Sequence, residues 1–344
     1  MVSCMHNFKK IISNSLIACM FTVIILIGLI SPYFYGEAYY YQDYNVRKSL
    51  SGTLDTLIIG SSHALRSIKP TVLNSELGVH SYNLSSPLMS MAGRYYLFKK
   101  EAERNPIDTL YIELSYNALT LDRESLGMEG DLYVLGRFDN FAERAEFFSD
   151  TFDIHEWGAV FEDTILRAQN SLSGSLHPEM AQYDTFGYLP ATSGDFYLSS
   201  GDKKDILDKE QLDVVIKEEN LKYLNKIIEY CNDNNIKIAF VVVPITEKAL
   251  LRYSNIDEVF SQYIEIARQN NCDYYDLNLD KKRLKLYSEH SSFYDDTHMS
   301  DSGADIFSKR LSDLIKNNKS VQSNPEGYFE SYRSLKRAIM EQSV

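Results

Sequence analysis

Short apolar runs alternate with segments whose apolar residues recur every three or four positions, and this alternation organises most of the chain beyond residue 54. The run Asp55-Thr56-Leu57-Ile58-Ile59-Gly60 is continuously apolar and closed by glycine, as a central parallel strand covered on both faces should be. A second strand is expected over residues 79–84. Met91, Tyr95, Phe98 and Ala102 then fall on one helical face that stops near Asn105-Pro106, and residues 108–114 form a third strand. Leu221, Leu224, Ile227, Ile228 and Cys231 predict an amphipathic helix, residues 236–243 a strand halted by Pro244, and Ile256, Val259, Phe260, Tyr263 and Ala267 another helix. Residues 272–277 give a fifth strand, and Ala304, Phe307, Leu311 and Leu314 a last helix.

Strand–helix alternation of this kind predicts an α/β domain with a parallel central sheet and right-handed crossovers, a three-layer α/β/α sandwich over residues 54–317. Residues 118–215 break the rhythm. They are rich in aromatic and acidic residues and are expected to be one long insertion, a cap beside the strand ends where α/β sheets bind ligands. Its Trp157, Phe161, Tyr183, Phe186, Tyr188, Phe196 and Tyr197 could stack on sugar rings, but the core of a subdomain is the commoner role for such residues. Residues 318–344 read as a polar C-terminal tail, in which Tyr328, Tyr332, Leu335 and Ile339 hint at one more helix.

The N-terminus changes the setting of this domain. Lys9 and Lys10 precede residues 11–30, which contain no charged side chain. About 20 apolar residues span a bilayer as a helix, and the flanking lysines place residues 1–10 in the cytoplasm. Tyr33, Phe34, Tyr35, Tyr39, Tyr40 and Tyr41 follow where an interfacial aromatic belt belongs. Two rivals exist: a cleaved signal peptide, with Gly36-Glu37-Ala38 a weak processing site, and a lipoprotein box at Leu16-Ile17-Ala18-Cys19 that the apolar run outlasts. The favoured expectation is an uncleaved anchor over 11–31, a stalk over 32–53, and the domain outside the cytoplasm.

A net charge of −13 argues against nucleic acid as a partner, because phosphate binding needs clustered Lys and Arg. Cys4, Cys19, Cys231 and Cys272 show no zinc-ligand spacing, so no metal is expected. A bond between Cys231 and Cys272 is open, but two separate buried thiols are the preferred reading.

Chemistry concentrates in two motifs. Gly60-Ser61-Ser62-His63 lies where the first strand ends, and Asp295-Asp296-Thr297-His298 lies between the fifth strand and the last helix, so both reach the same sheet edge. Taken alone, a serine there is more often a helix cap. A serine hydroxyl becomes a nucleophile when a base removes its proton. Histidine titrates in the right range for that base, and a carboxylate fixes its tautomer. Ser62, His298 and Asp295 are therefore the candidate catalytic residues. Asp296 should point away, His63 should line the cleft, and Glu113 should be a paired structural acid.

A serine after the first strand and Asp-x-x-His before the C-terminal helix resemble the SGNH (GDSL-like) hydrolase superfamily. Gly60-Ser61-Ser62 is similar to its Gly-Asp-Ser block, which makes Ser62 the nucleophile. Ser115-Tyr116-Asn117 resembles its Gly-x-Asn block, and Asn83-Leu84-Ser85-Ser86-Pro87 stands near its poorly matched glycine block. The resemblance implies an oxyanion hole from Ser62, Asn117 and, at the glycine block, Ser85 or else Ser86, and no cofactor. Phe293-Tyr294-Asp295-Asp296-Thr297-His298-Met299-Ser300 further resembles membrane-anchored envelope proteins that move acyl groups onto polymer hydroxyls. These are the D-alanyl lipoteichoic acid transfer and alginate O-acetyltransferase accessory types. That likeness implies a polysaccharide or teichoic-acid-like acceptor and a membrane-bound O-acyltransferase partner. Transfer and hydrolysis use the same residues, and a non-catalytic assembly subunit of the same fold is the rival from another class.

Overall fold

The computed structural model describes residues 38–172, 184–190, 212–287, 289–323 and 325–341, together with Asn14, Ser15 and Ala18. The expected anchor over 11–31 lies outside the described residues apart from those three. Among the described residues no helix is long and apolar enough to cross a membrane.

The fold is α/β. Strands β1 (Thr56–Ile59), β2 (Ser81–Asn83), β3 (Thr109–Glu113), β4 (Lys237–Val242) and β5 (Asp273–Asp276) form one sheet in the order β2-β1-β3-β4-β5. Every neighbouring pair is parallel. Leu57, Ile58 and Ile59 are wholly buried, as a strand covered on both faces requires. The five strands are those expected, each about a residue shorter at its ends.

Between β1 and β2 come α1 (Ser62–Leu65) and α2 (Pro70–Leu77); α3 (Met91–Ala102) precedes β3; α4 (Glu218–Asp233) precedes β4; α5 (Ile256–Gln269) precedes β5; and α6 (Asp301–Lys316) follows it. Helix α3 packs on α4 and α2 packs on α6. Right-handed crossovers put these two pairs on opposite faces of the sheet, which is consistent with a three-layer arrangement. The chain leaves β1 toward β2 and later returns to add β3 on the other side. The strand order thus reverses between β1 and β3, and a crevice opens at their carboxyl ends.

Three regions add detail that the sequence pattern does not carry. The stalk over 32–53 contains a helix, Ala38–Ser49, and its Arg47 is buried in an ion pair with Glu101 of α3. A single charged residue packed by a partner elsewhere leaves no apolar periodicity to read. The described part of 318–344 carries the helix hinted at in the sequence: Tyr332–Glu341 buries Tyr332, Leu335 and Ile339, and the Tyr332 ring stacks on Phe260 of α5 at 4.8 Å. Its hydroxyl donates to the buried Asp276 carboxylate at 2.8 Å. The stretch 118–215 lies between β3 and α4, and its described residues are shared between two compact units. Residues 46–135 and the described part of 182–344 form one compact unit, and the described parts of 1–45 and 136–181 form another. In the second unit Arg137 pairs with Asp43 at 2.9 Å, both side chains fully buried, beside the packed rings of Phe138, Phe147 and Phe152. Trp157 and Phe161 in that unit are half exposed. Of the other aromatics singled out above, Tyr188 is buried in the sheet unit, and Tyr183, Phe196 and Tyr197 lie outside the described residues. Cys231 and Cys272 are separate buried thiols.

Candidate active site

The loop that carries Ser62, the candidate nucleophile, is held from beneath. Gly60 ends β1 where a Cβ would lie 2.6 Å from the Glu113 Cβ and 2.7 Å from the Ala64 Cβ, so only glycine allows the loop this close to β3. Ser61 caps α1 by accepting from His63 N–H at 3.3 Å, and its own N–H and hydroxyl both donate to Glu113 Oε2 at 3.0 Å. The capping role that the sequence leaves open for Ser62 thus falls to Ser61. Ser62 is released to begin the helix with a half-buried side chain.

The base loop reaches Ser62 from across the sheet. His298 Nε2 lies 2.7 Å from Ser62 Oγ, and His298 Nδ1 lies 2.7 Å from Asp295 Oδ2. The other Asp295 oxygen accepts the backbone N–H groups of Thr297 and His298, both at 2.8 Å. Partial burial opposes the Asp295 charge, but the bond and charge of His298 and these two amides outweigh it and hold the carboxyl well below the usual range. Asp296 turns away: its carboxylate faces Arg252 at 3.8 Å, and its carbonyl accepts Thr246 N–H at 2.9 Å, tying the loop to the end of β4.

Of the three residues expected to form an oxyanion hole, two keep a donor without a partner among the described residues. Ser62 N–H, at the open first turn of α1, has no acceptor among the described residues. Asn117 lies in the turn after β3, and its Oδ1 accepts the Ser115 hydroxyl, which leaves Nδ2 as its remaining donor. The pairing of Ile59 with Ile112 sets the carboxyl ends of β1 and β3 side by side, and Ser62 and Ser115 each follow one of them. Ser85 is different. Its N–H donates to Asn83 Oδ1 at 3.1 Å, and the following Ser86 N–H donates to Gly60 O at 3.3 Å. An Asn at a strand end captures the amide two residues on, so the Ser85 amide is turned into its own loop.

Aromatic and basic side chains surround these groups. The His63 ring is buried 5.0 Å from the His298 ring and edge-on to Tyr116 at 5.9 Å. Burial, then the charge of His298, pushes its pKa down to about 4, so it is a neutral cleft wall. Tyr116 pairs with Tyr253 at 4.5 Å between ring centres. On the other flank the Arg66 guanidinium lies over the Tyr294 ring at 5.6 Å.

Glu113 is wholly buried. Burial opposes its charge, but Arg94, whose Nη2 is 3.6 Å away, and the bonds from Ser115 and Ser61 keep its carboxyl below the ordinary value. Arg94 is the site residue that sequence reasoning missed. The signal was present, because a lone acid inside an apolar strand needs a base on a neighbouring element.

Searched against family models, the chain matches none, and no curated protein matches it either.

Proposed function

We propose that the chain is a serine esterase or O-acyltransferase of the SGNH type, a three-layer α/β/α domain anchored to the membrane and facing outward. Its acyl acceptor would be a cell-envelope polysaccharide or teichoic-acid-like polymer, supplied beside a membrane-bound O-acyltransferase. The observation that supports this best is the continuous hydrogen-bonded relay from Ser62 through His298 to Asp295, two contacts of 2.7 Å each.

The chemistry follows from that relay. Ser62 Oγ attacks an acyl carbonyl while His298 Nε2 takes its proton, and Asp295 holds the other ring nitrogen and steadies the imidazolium. The developing oxyanion faces Ser62 N–H and the Asn117 amide, usually the largest contribution to rate in acyl transfer. The imidazolium then protonates the departing alcohol, and the acyl group remains on Ser62 as an ester. A polymer hydroxyl or water, deprotonated by His298, attacks that ester and frees Ser62. The polymer gives transfer, and water gives hydrolysis.

The test is to expose the full chain to an activated acetyl ester and follow its intact mass. One acetyl group should appear on Ser62 and be discharged faster when a soluble sugar polyol is added than in buffer alone. A chain that never gains the acetyl group would contradict the enzymatic reading and favour an assembly subunit. Acetyl loss indifferent to polyol would leave an esterase.

A further inference from the structure

Ser62 and Asn117 follow different strands and share no direct hydrogen bond. Both are nevertheless anchored to one buried group. Glu113 Oε2 accepts the N–H and hydroxyl of Ser61, the residue before Ser62, at 3.0 Å each. Glu113 Oε1 accepts Ser115 N–H, and the Ser115 hydroxyl donates to Asn117 Oδ1. Arg94, buried in α3, neutralises the carboxylate at 3.6 Å and also donates to the Glu113 carbonyl. A buried ion pair of this kind is a poor source of net stability, since desolvating both charges cancels most of their attraction.

Resting on the acyl-transfer reading above, we propose that Glu113 is a positioning residue that holds the nucleophile and the side-chain oxyanion donor in register, with Arg94 keeping it charged. Each carboxylate oxygen is assigned to one loop, so both loops are referenced to the same rigid point. The Ser115 hydroxyl occupies the oxygen end of the Asn117 amide and leaves the nitrogen end to donate. If it did not donate to Oδ1, the amide could rotate and present an oxygen to the oxyanion. Gly60 belongs to the same device, because its missing side chain brings the loop within reach of Glu113.

The experiment uses the full chain carrying Glu113→Gln, Ser61→Ala or Ser115→Ala. Thermal melting, the rate of reaction with a fluorophosphonate, and kcat and KM for a small activated ester are measured. Gln keeps the shape of Glu but turns one acceptor into a donor that meets an N–H, so one loop is released. The expected result is a fall of about 100-fold in labelling rate and kcat for Glu113→Gln and about 10-fold for each serine variant, with KM nearly unchanged, because a misplacement near 1 Å has that scale of cost. The two serine substitutions combined should be no worse than Glu113→Gln. If Glu113→Gln does not fold, the serine variants decide, since each removes one hydroxyl. Folded variants that react like the wild type, or that change KM alone, would overturn this inference. A wild type that does not react at all would overturn the acyl-transfer reading beneath it.

Discussion

The two loops that meet at Ser62 and His298 are held in opposite ways. The base loop is organised locally: Asp295 Oδ1 takes the amides two and three residues ahead, and Oδ2 takes the imidazole of His298. It is also partly open, with His298 and Asp295 side chains 22 % and 28 % exposed. The nucleophile loop is organised at long range and in the dark. Its anchor is Glu113, 52 residues from Ser61 in the chain, and that carboxylate is completely buried with Arg94. The difference separates two kinds of substitution, those that remove chemistry and those that remove support.

The largest effect is expected from removing chemistry at the junction. Ser62→Ala or His298→Ala should each lower kcat by about 10⁶-fold, and the double variant should be little worse, because the residues act as a unit. Additive losses in steady-state kinetics would break the link between the two loops. Asp295→Asn should cost less, on the order of 10⁴-fold, by presenting the wrong hydrogen-bonding partner to His298 Nδ1.

Removing support should register as stability. Arg94→Met leaves Glu113 charged and unpaired in the interior and should cost about 3–5 kcal/mol in urea unfolding. A loss under about 1 kcal/mol would mean that water reaches Glu113, and the nucleophile loop would then resemble the base loop.

The smallest effect concerns pH. His63 is held neutral by burial, its pKa lowered from 6.5 to about 4. The unfolded chain therefore takes up the proton first. The stability His63 contributes is complete above pH 6.5 and is lost as the pH falls toward 4. Asp276 works in the opposite sense, because burial raises its pKa from 3.8 to about 6 and favours the folded state at the acid end of that window. Comparing wild type with His63→Leu cancels the Asp276 contribution. The variant should gain on the wild type as pH drops from 7 to 4 in denaturant titrations, and parallel curves would place His63 in contact with solvent.

The same division explains what could be read without a structure. The Asp-x-x-His turn was legible because its geometry is set within four residues, and β1 and β4 because each is an apolar run with a clear stop, Gly60 and Pro244. Ser62 could be chosen over Ser61 only through a motif resemblance, because the bonds that tie Ser61 to Glu113 and to the cap of α1 reach across 52 residues or depend on the local turn. Arg94 was hidden inside an otherwise apolar helical face, and its partner lies 19 residues on. Ser85 was placed by its position after β2, and the capture of its amide by Asn83 is a loop detail that spacing does not encode. The C-terminal helix was only hinted at, because its apolar stripe is three residues wide and its anchoring bond to Asp276 spans 56 positions.

The central claim is that Ser62 is a nucleophile activated by His298. The most direct measurement is reaction of the full chain with a fluorophosphonate, followed by peptide mapping, in the wild type, Ser62→Ala and His298→Ala. A single adduct on Ser62 is predicted, absent in Ser62→Ala and formed far more slowly in His298→Ala. An adduct on another serine, or equal rates with and without His298, would contradict it.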